Sequence, residues 1–253
     1  MIDRESDQRA SKVPEVTFLF WIIKIAATTL GETGGDSVSM SMNLGYLVGS
    51  GIFAVIFVGA VLLQISAKQF HPVLYWATII ASTTVGTTLA DLTTRSLGVG
   101  YAGGSALLLT LLLLSLFTWY RALGSISVNT VSTPRAEAFY WMTITFSQTL
   151  GTALGDWTAD SAGLGYGGAA IIFSSLLALV AAAYLWTRTS HTLLFWAAFV
   201  LTRPLGAVVG DFLDKPISHG GLALSRYLAS AALLGFIAIC ILIFPQRPAA
   251  EAH

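Results

Sequence analysis

The sequence is poor in charged residues, has one cysteine and carries no excess of either charge. Only 10% of its 253 residues are charged and 55% are hydrophobic, whereas roughly a quarter of an ordinary soluble domain is charged. This composition excludes a soluble globular protein and a disordered one. Thirteen basic residues balance thirteen acidic ones, so the basic surface that nucleic acid requires is missing and no nucleic-acid partner is expected.

The motifs of soluble enzymes are missing as well. The sequence contains no phosphate-binding glycine loop, no nucleophile elbow and no zinc-protease histidine pair. Because Cys240 is the only cysteine, an internal disulfide and a cysteine-based zinc site are excluded. We therefore expect neither an enzyme nor a resident cofactor, a bound divalent cation being the one ligand left open.

Apolar segments long enough to cross a bilayer fill most of the chain. A spanning helix needs about 20 residues, and eight such segments are predicted, at 16–36, 45–64, 73–92, 101–119, 138–157, 165–186, 192–212 and 222–244. They indicate an all-α, polytopic membrane protein with one transmembrane domain at 15–244, between tails at 1–14 and 245–253. Eight basic residues fall on the side of the tails and three on the other, which places both tails in the cytoplasm.

One spacing pattern occurs four times along the chain. A tryptophan is followed, after nine intervening residues, by a glycine and, after four more, by an aspartate: Trp21, Gly31 and Asp36; Trp76, Gly86 and Asp91; Trp141, Gly151 and Asp156; Trp196, Gly206 and Asp211. The pattern divides the domain into four helical hairpins at about 15–66, 71–121, 135–187 and 190–244. Since every hairpin enters and leaves on the same side, the repeats should be parallel, with pseudo-fourfold or two-plus-two symmetry.

A polar stripe leads back from each aspartate. Residues four apart share one face of a helix, and this face carries most of the strongly polar side chains of the first helix of each repeat: Lys24, Thr28, Glu32 and Asp36; Thr83, Thr87 and Asp91; Gln148, Thr152 and Asp156; Arg203 and Asp211. Ionisable groups are costly in hydrocarbon, so these helices should form an inner ring. Trp21, Trp76, Trp141 and Trp196 are expected to anchor it at the cytoplasmic interface of the lipid bilayer.

The charges on this stripe favour the handling of ions. Five ionised carboxylates would exceed Lys24 and Arg203 by three charges, an imbalance that is hard to sustain at low dielectric. We therefore expect cation transport through a central site of Glu32 and the four aspartates. The neutral ligands would be Thr28, Thr83, Thr87, Gln148 and Thr152, with Lys24 and Arg203 as balancing charges. A divalent metal and coupling to protons are both open.

Two other functions are compatible with the same residues. The intramembrane charges would be structural in a protein that transports nothing and serves as a scaffold or binds a partner. The aromatic residues could instead offer cation–π surfaces to a small organic cation for export. A homo-oligomer is also compatible with the sequence.

The tryptophan, glycine and aspartate positions resemble a bacterial membrane-protein family built from four tandem copies of a repeat of unknown function. The resemblance covers about 15–244 and implies an integral protein of the bacterial inner membrane, without implying a substrate. A shorter segment, Glu32 to Ser37, resembles the acidic signature of a calcium and manganese exporter family. That resemblance implies that Glu32 and Asp36 bind a metal ion as it exchanges with protons.

Overall fold

Eight α-helices account for most of the structure, a computed structural model that describes residues 11–249. They are α1 (Phe18–Asp36), α2 (Gly45–Ser66), α3 (Pro72–Asp91), α4 (Gly100–Leu123), α5 (Pro134–Asp156), α6 (Gly165–Trp186), α7 (His191–Asp214) and α8 (Arg226–Ile243). Each predicted span coincides with one helix, and the ends differ by no more than four residues. Residues 1–10 and 250–253 of the predicted tails lie outside the described residues.

The odd-numbered helices form a closed inner ring. Each of α1, α3, α5 and α7 packs against two of the others, and α7 closes the ring against α1. Within the most apolar stretch of each helix, 72% of the residues of α3 and α7 are buried, compared with 11% in α2, α6 and α8. The stripe residues are therefore inside and the apolar even-numbered helices lie around them, as the polar stripe predicts.

The outer helices connect neighbouring repeats. The α2 helix packs mainly on α3, α4 on α5 and α6 on α7, while α8 returns to α1. The two helices of one repeat make few contacts with each other, so each repeat packs mainly against its neighbours. A single repeat could not bury its polar stripe alone, and the four repeats stabilise one another by interlocking.

Three of the four connections at the aspartate end are built alike. Immediately after Asp36, Asp91 and Asp156 the helix widens into one π-helical turn, closed by bonds between residues five apart, as from Met42 N–H to Ser37 O at 2.9 Å. After each of these three turns, the next outer helix begins at a glycine with positive φ, namely Gly45, Gly100 and Gly165. Glycine is suited to this position because residues with a side chain rarely adopt a positive φ. The fourth connection lacks the π-helical turn and folds back on the end of α7, where Leu222 N–H donates to Phe212 O at 2.8 Å.

The repeat glycines lie where neighbouring inner helices come closest. If any of these glycines carried a Cβ atom, that atom would lie less than 3.0 Å from a polar-stripe residue of the next repeat. In every case the contacted residue stands eight positions before the aspartate of its own repeat. These pairs are Gly31 with Thr83, Gly86 with Gln148, Gly151 with Arg203 and Gly206 with Thr28. The glycines thus allow the close helix contacts that small residues provide in membrane proteins.

The opposite end of the ring, the tryptophan end, is filled by an aromatic cluster. Trp76, Trp141 and Trp196 are buried there among tyrosine and phenylalanine rings. The Trp76 indole donates to Gln246 Oε1 at 2.7 Å, and the Trp196 indole donates to Ile126 O at 3.0 Å. The expectation that these three residues face the lipid interface is wrong, because their rings close the interior; Trp21 alone of the four is partly exposed.

Three chain segments cover this end. Pro14 pairs with Pro248 in a short antiparallel bridge, and the Lys12 ammonium forms a buried ion pair with Glu137 at 2.7 Å. The longer connection between the second and third repeats adds Val128 to the aromatic cluster. The described parts of the tails and this connection therefore pack on the bundle.

By length and composition, six of the eight helices could cross a membrane. The other two, α1 and α5, are inner helices whose polar side chains face the ring. The composition of the whole bundle, together with its exposed apolar outer helices, indicates a membrane protein.

Candidate functional site

The four repeat aspartates lie buried at one end of the inner ring, and two basic side chains join them in pairs. The Arg95 guanidinium contacts Asp91 at 2.8 Å and Asp156 at 2.9 Å. The Lys215 ammonium contacts Asp211 at 3.0 Å and Asp36 at 2.6 Å. Each basic residue follows the aspartate of its own repeat by four positions and reaches the aspartate of the next. Arg95 and Lys215, which lie in alternate repeats, thus join the four carboxylates in two pairs. We call the four aspartates together with Arg95 and Lys215 the acid layer.

Neither basic residue belonged to the predicted site. Both follow the aspartates at which the predicted polar stripe ends. The same four-residue step continued forward from the aspartates would have found them, since Arg95 and Lys215 occupy the position held by Met40 and Asp160 in the other repeats.

Lys215 remains charged in this position. Burial alone would lower the pKa of its ammonium, but the neighbouring carboxylates of Asp211 and Asp36 raise the pKa above its ordinary value. The fold-back of residues 216–224 holds the lysine backbone, because Ala223 N–H donates to Lys215 O at 2.9 Å. The lysine therefore carries a positive charge within the acid layer at neutral pH.

One turn further into the ring, Arg203 crosses the interior from α7. Its Nη2 lies 3.0 Å from Glu32 Oε2 and 2.5 Å from the hydroxyl oxygen of each of Thr87 and Thr152, and its two hydrogens are shared among these acceptors. The guanidinium thereby brings together predicted residues from all four inner helices. This geometry is the one expected of a balancing charge, and it leaves the two threonine hydroxyls occupied by the protein itself.

Three carboxylates come close enough to share one ion. One oxygen from each of Glu32, Asp36 and Asp211 lies within 4.8 Å of the other two, and all three residues are buried. Oxygens that bind the same Mg²⁺ or Ca²⁺ lie within about 5 Å of one another, since each is about 2.0–2.6 Å from the ion. The residues therefore fit a hard divalent cation, but the Lys215 ammonium contacts two of the three carboxylates.

A comparison of the chain with known families matches the repeats. The sequence model described as Repeat of Unknown Function (DUF347) matches residues 19–70, 74–124, 139–190 and 194–245. The chain belongs to this family. Each matched segment contains one tryptophan–glycine–aspartate set and one polar stripe. No curated protein and no solved structure gives a significant match.

The charge balance of the DUF347 ring differs from the one expected. Asp214, at the end of α7, joins the five predicted carboxylates, and its partner Arg226 lies 2.9 Å away. Four basic side chains, Arg95, Arg203, Lys215 and Arg226, contact these six acids within the described residues, and Lys24 is buried in the same ring without contacting any of them. The expected excess of three negative charges is therefore wrong, because the chain beyond the aspartates returns basic residues to the ring.

The remaining predicted residues of the DUF347 stripes lie nearer the tryptophan end. The Thr28 hydroxyl donates to Ile25 O at 2.9 Å. Thr83 and Gln148 are fully buried at the corresponding level of α3 and α5. Lys24 Nζ lies 4.1 Å from the centre of the Phe199 ring and pairs with no carboxylate in the described part of the chain, so its expected role in balancing the acids is wrong.

Proposed function

We propose that this DUF347 protein transports a cation across the membrane through the acid layer and Glu32. The observation that supports this proposal is the approach of Glu32, Asp36 and Asp211 within 4.8 Å inside the inner ring. Buried carboxylates in a membrane domain commonly mark an ion pathway. Oxygen donors favour hard ions such as Mg²⁺, Ca²⁺ or Mn²⁺, and exchange for protons would keep the site neutral.

The proposed architecture has eight crossings with parallel repeats around one axis. Arg95 and Lys215 alternate with Met40 and Asp160 at one repeat position, which supports a two-plus-two arrangement. The excess of basic residues on the side of the tails supports cytoplasmic termini in a bacterial inner membrane.

The geometry favours a carrier over an open pore. An entering cation would reach the acid layer from the aspartate end and displace the Lys215 ammonium from Asp36 and Asp211. Beyond it, the Arg203 guanidinium and the aromatic cluster fill the interior. Release at the tryptophan end would therefore require a second conformation, in which the helices separate around Arg203.

The test is flux into proteoliposomes that contain the purified protein, measured with dyes for divalent metal and for pH. We expect wild-type flux of at least one of Mg²⁺, Ca²⁺ and Mn²⁺, and its loss in Glu32→Gln. The matched control is Asp160→Asn, an exposed carboxylate at the same end, which should retain flux. Absence of wild-type flux for all three ions, or equal flux in Glu32→Gln, would contradict the proposal.

A structural role is the second candidate, and a specific observation favours it. Each of the four repeat aspartates already has a basic partner within the chain. If these pairs only hold the helices together, Asp36→Asn should lower thermal stability by the same amount with and without divalent ions. A transport site predicts instead an ion-specific stabilisation that Asp36→Asn removes.

Export of a small organic cation can be tested in the same vesicles. The Lys215 ammonium lies between Asp36 and Asp211. This contact favours an organic cation as the substrate, because a primary ammonium group already binds to the two carboxylates. Flux of an alkylammonium ion without flux of divalent metals would identify this class of substrate.

A further inference from the structure

A groove on the outer surface of the bundle runs between α2 of the first repeat and α5 of the third. Eight of the nine residues that line it are apolar, and the hydroxyl of the ninth, Thr145, donates to Trp141 O at 2.8 Å within its own helix. The groove has a volume of about 230 Å³, whereas an apolar cavity of roughly 150 Å³ already holds benzene. It is therefore large enough and apolar enough for a segment of a hydrocarbon chain.

The floor of the groove belongs to the core, and its walls face outward. Phe57 and Val61 pack against the aromatic cluster, of which the buried Trp141 is a member. On either side of this floor, Leu62 on α2 and Met142 on α5 remain exposed. Because α2 is apolar and mostly exposed, the groove opens toward the hydrocarbon of the bilayer and not toward water.

A buried lysine closes the groove at the tryptophan end. The Lys12 ammonium donates to Gln64 O at 3.2 Å and to Ile65 O at 3.0 Å, near the end of α2. The same ammonium lies 2.7 Å from the Glu137 carboxylate, near the start of α5. It thereby joins the two helices beside Ile65 and Ala138, which line the groove. An amphipathic occupant would therefore place its polar group at this end and its apolar part along the helices.

Two exposed basic residues flank this end of the groove. Arg135 precedes Ala138 by three positions, so it extends the groove-lining face of α5 by one turn. Lys68 follows Ile65 by three positions, just beyond the end of α2. The carboxylate of Glu137 at the same end is buried and already neutralised by its ion pair. The end of the groove therefore favours a negatively charged group.

A phospholipid fits this surface better than a second copy of the chain. Two copies in the same orientation are related by an axis along the membrane normal, so a symmetric contact through the groove would bring Arg135 and Lys68 close to the same residues of the other copy. Like charges brought together oppose association. A phospholipid instead supplies a hydrocarbon chain for the groove and a phosphate for the basic residues.

We infer that the groove binds one anionic phospholipid, whose acyl chain lies between α2 and α5 and whose phosphate lies at Arg135 and Lys68. Such a lipid would connect the first repeat to the third, which are not consecutive along the chain. The inference does not rest on cation transport, because none of its residues belongs to the acid layer.

The test is native mass spectrometry of the delipidated full-length protein in detergent, titrated with phosphatidylglycerol or with phosphatidylcholine of the same acyl chains. The first molecule of phosphatidylglycerol should bind about tenfold or more tightly than the first molecule of phosphatidylcholine. Arg135→Gln should reduce this preference about fivefold, equivalent to about 1 kcal/mol. The matched control is Arg121→Gln, at an exposed arginine near the end of α4, which should retain the preference.

A second pair of variants tests the groove itself. Ala138→Phe should fill the groove and abolish tight binding of the first phosphatidylglycerol. Ala181→Phe, the same change at an exposed position of α6, should leave binding unchanged. Because both alanines are exposed, neither change should prevent folding.

Three outcomes would overturn the inference. The first is equal affinity of the wild type for the two lipids. The second is tight binding of phosphatidylglycerol that persists in Ala138→Phe. The third is a dimer of the wild type that Ala138→Phe dissociates, because it would assign the groove to a second copy of the chain.

Discussion

Substitution of one glycine in α1 should separate close packing of the inner helices from helix propensity. Gly31 and Gly34 lie three residues apart in the same helix. A Cβ at position 31 would lie less than 3.0 Å from three side-chain atoms of Thr83, whereas a Cβ at position 34 would meet nothing within 4 Å. Gly31→Ala and Gly34→Ala are therefore the same chemical change in opposite surroundings.

The expected magnitudes follow from the contacts. Replacing a helical glycine by alanine stabilises a helix by up to about 1 kcal/mol, which Gly34→Ala should retain. Overpacking costs about 1–3 kcal/mol, and the upper part of this range applies at Gly31. Because the Thr83 Cβ itself would lie 2.9 Å from the new methyl group, rotation about χ1 cannot relieve the contact and the helices must separate.

We expect a net loss of about 1–2 kcal/mol for Gly31→Ala. This corresponds to a fall in Tm of about 2–8 °C for a protein of this size, measured by tryptophan fluorescence in detergent. Thr83→Ala should rescue it, so that the Gly31→Ala, Thr83→Ala double variant unfolds close to Thr83→Ala alone. Equal Tm values for Gly31→Ala and Gly34→Ala, or a double variant no better than additive, would refute the close-packing explanation.

Two further predictions concern ion pairs. Lys215→Met should destabilise the protein by about 3–5 kcal/mol at neutral pH, because it leaves Asp36 and Asp211 without their shared partner. This loss of stability, measured by thermal melts, should shrink on acidification because the two carboxylates become protonated. A loss of stability that is independent of pH would contradict the prediction. Lys12→Met should lower Tm by leaving the buried Glu137 unpaired. The double variant Lys12→Met, Glu137→Gln should recover part of this loss. Strict additivity of the two single changes would show that the pair is not coupled.

The ring of inner helices could be predicted from the sequence because its determinants are periodic. The repeated tryptophan–glycine–aspartate spacing defines four equivalent units, and the four-residue step from Asp36 back to Lys24 identifies the buried face. Both patterns reflect local geometry, which one chain segment specifies by itself.

The features that could not be predicted depend on contacts between segments. The predicted stripe ends at the aspartates and therefore omits Lys215 and Arg95, although a π-helical turn or a fold-back returns them to the ring. Burial of Trp76 depends on the aromatic side chains of neighbouring helices and on the segments that cover them. The packing of each outer helix on the following repeat is equally invisible in a single repeat.

The return of α8 to α1 means that the bundle is a circle cut open at one point of the chain. Each repeat packs its outer helix on the inner helix of the next repeat and receives the outer helix of the previous one. None of the four repeats is therefore terminal in the folded state. Loss of one repeat would leave one outer helix and one inner helix without the neighbours on which they pack. The remaining three repeats would have to close into a smaller ring. The number of repeats is thus coupled to the curvature at which the inner helices close into a ring.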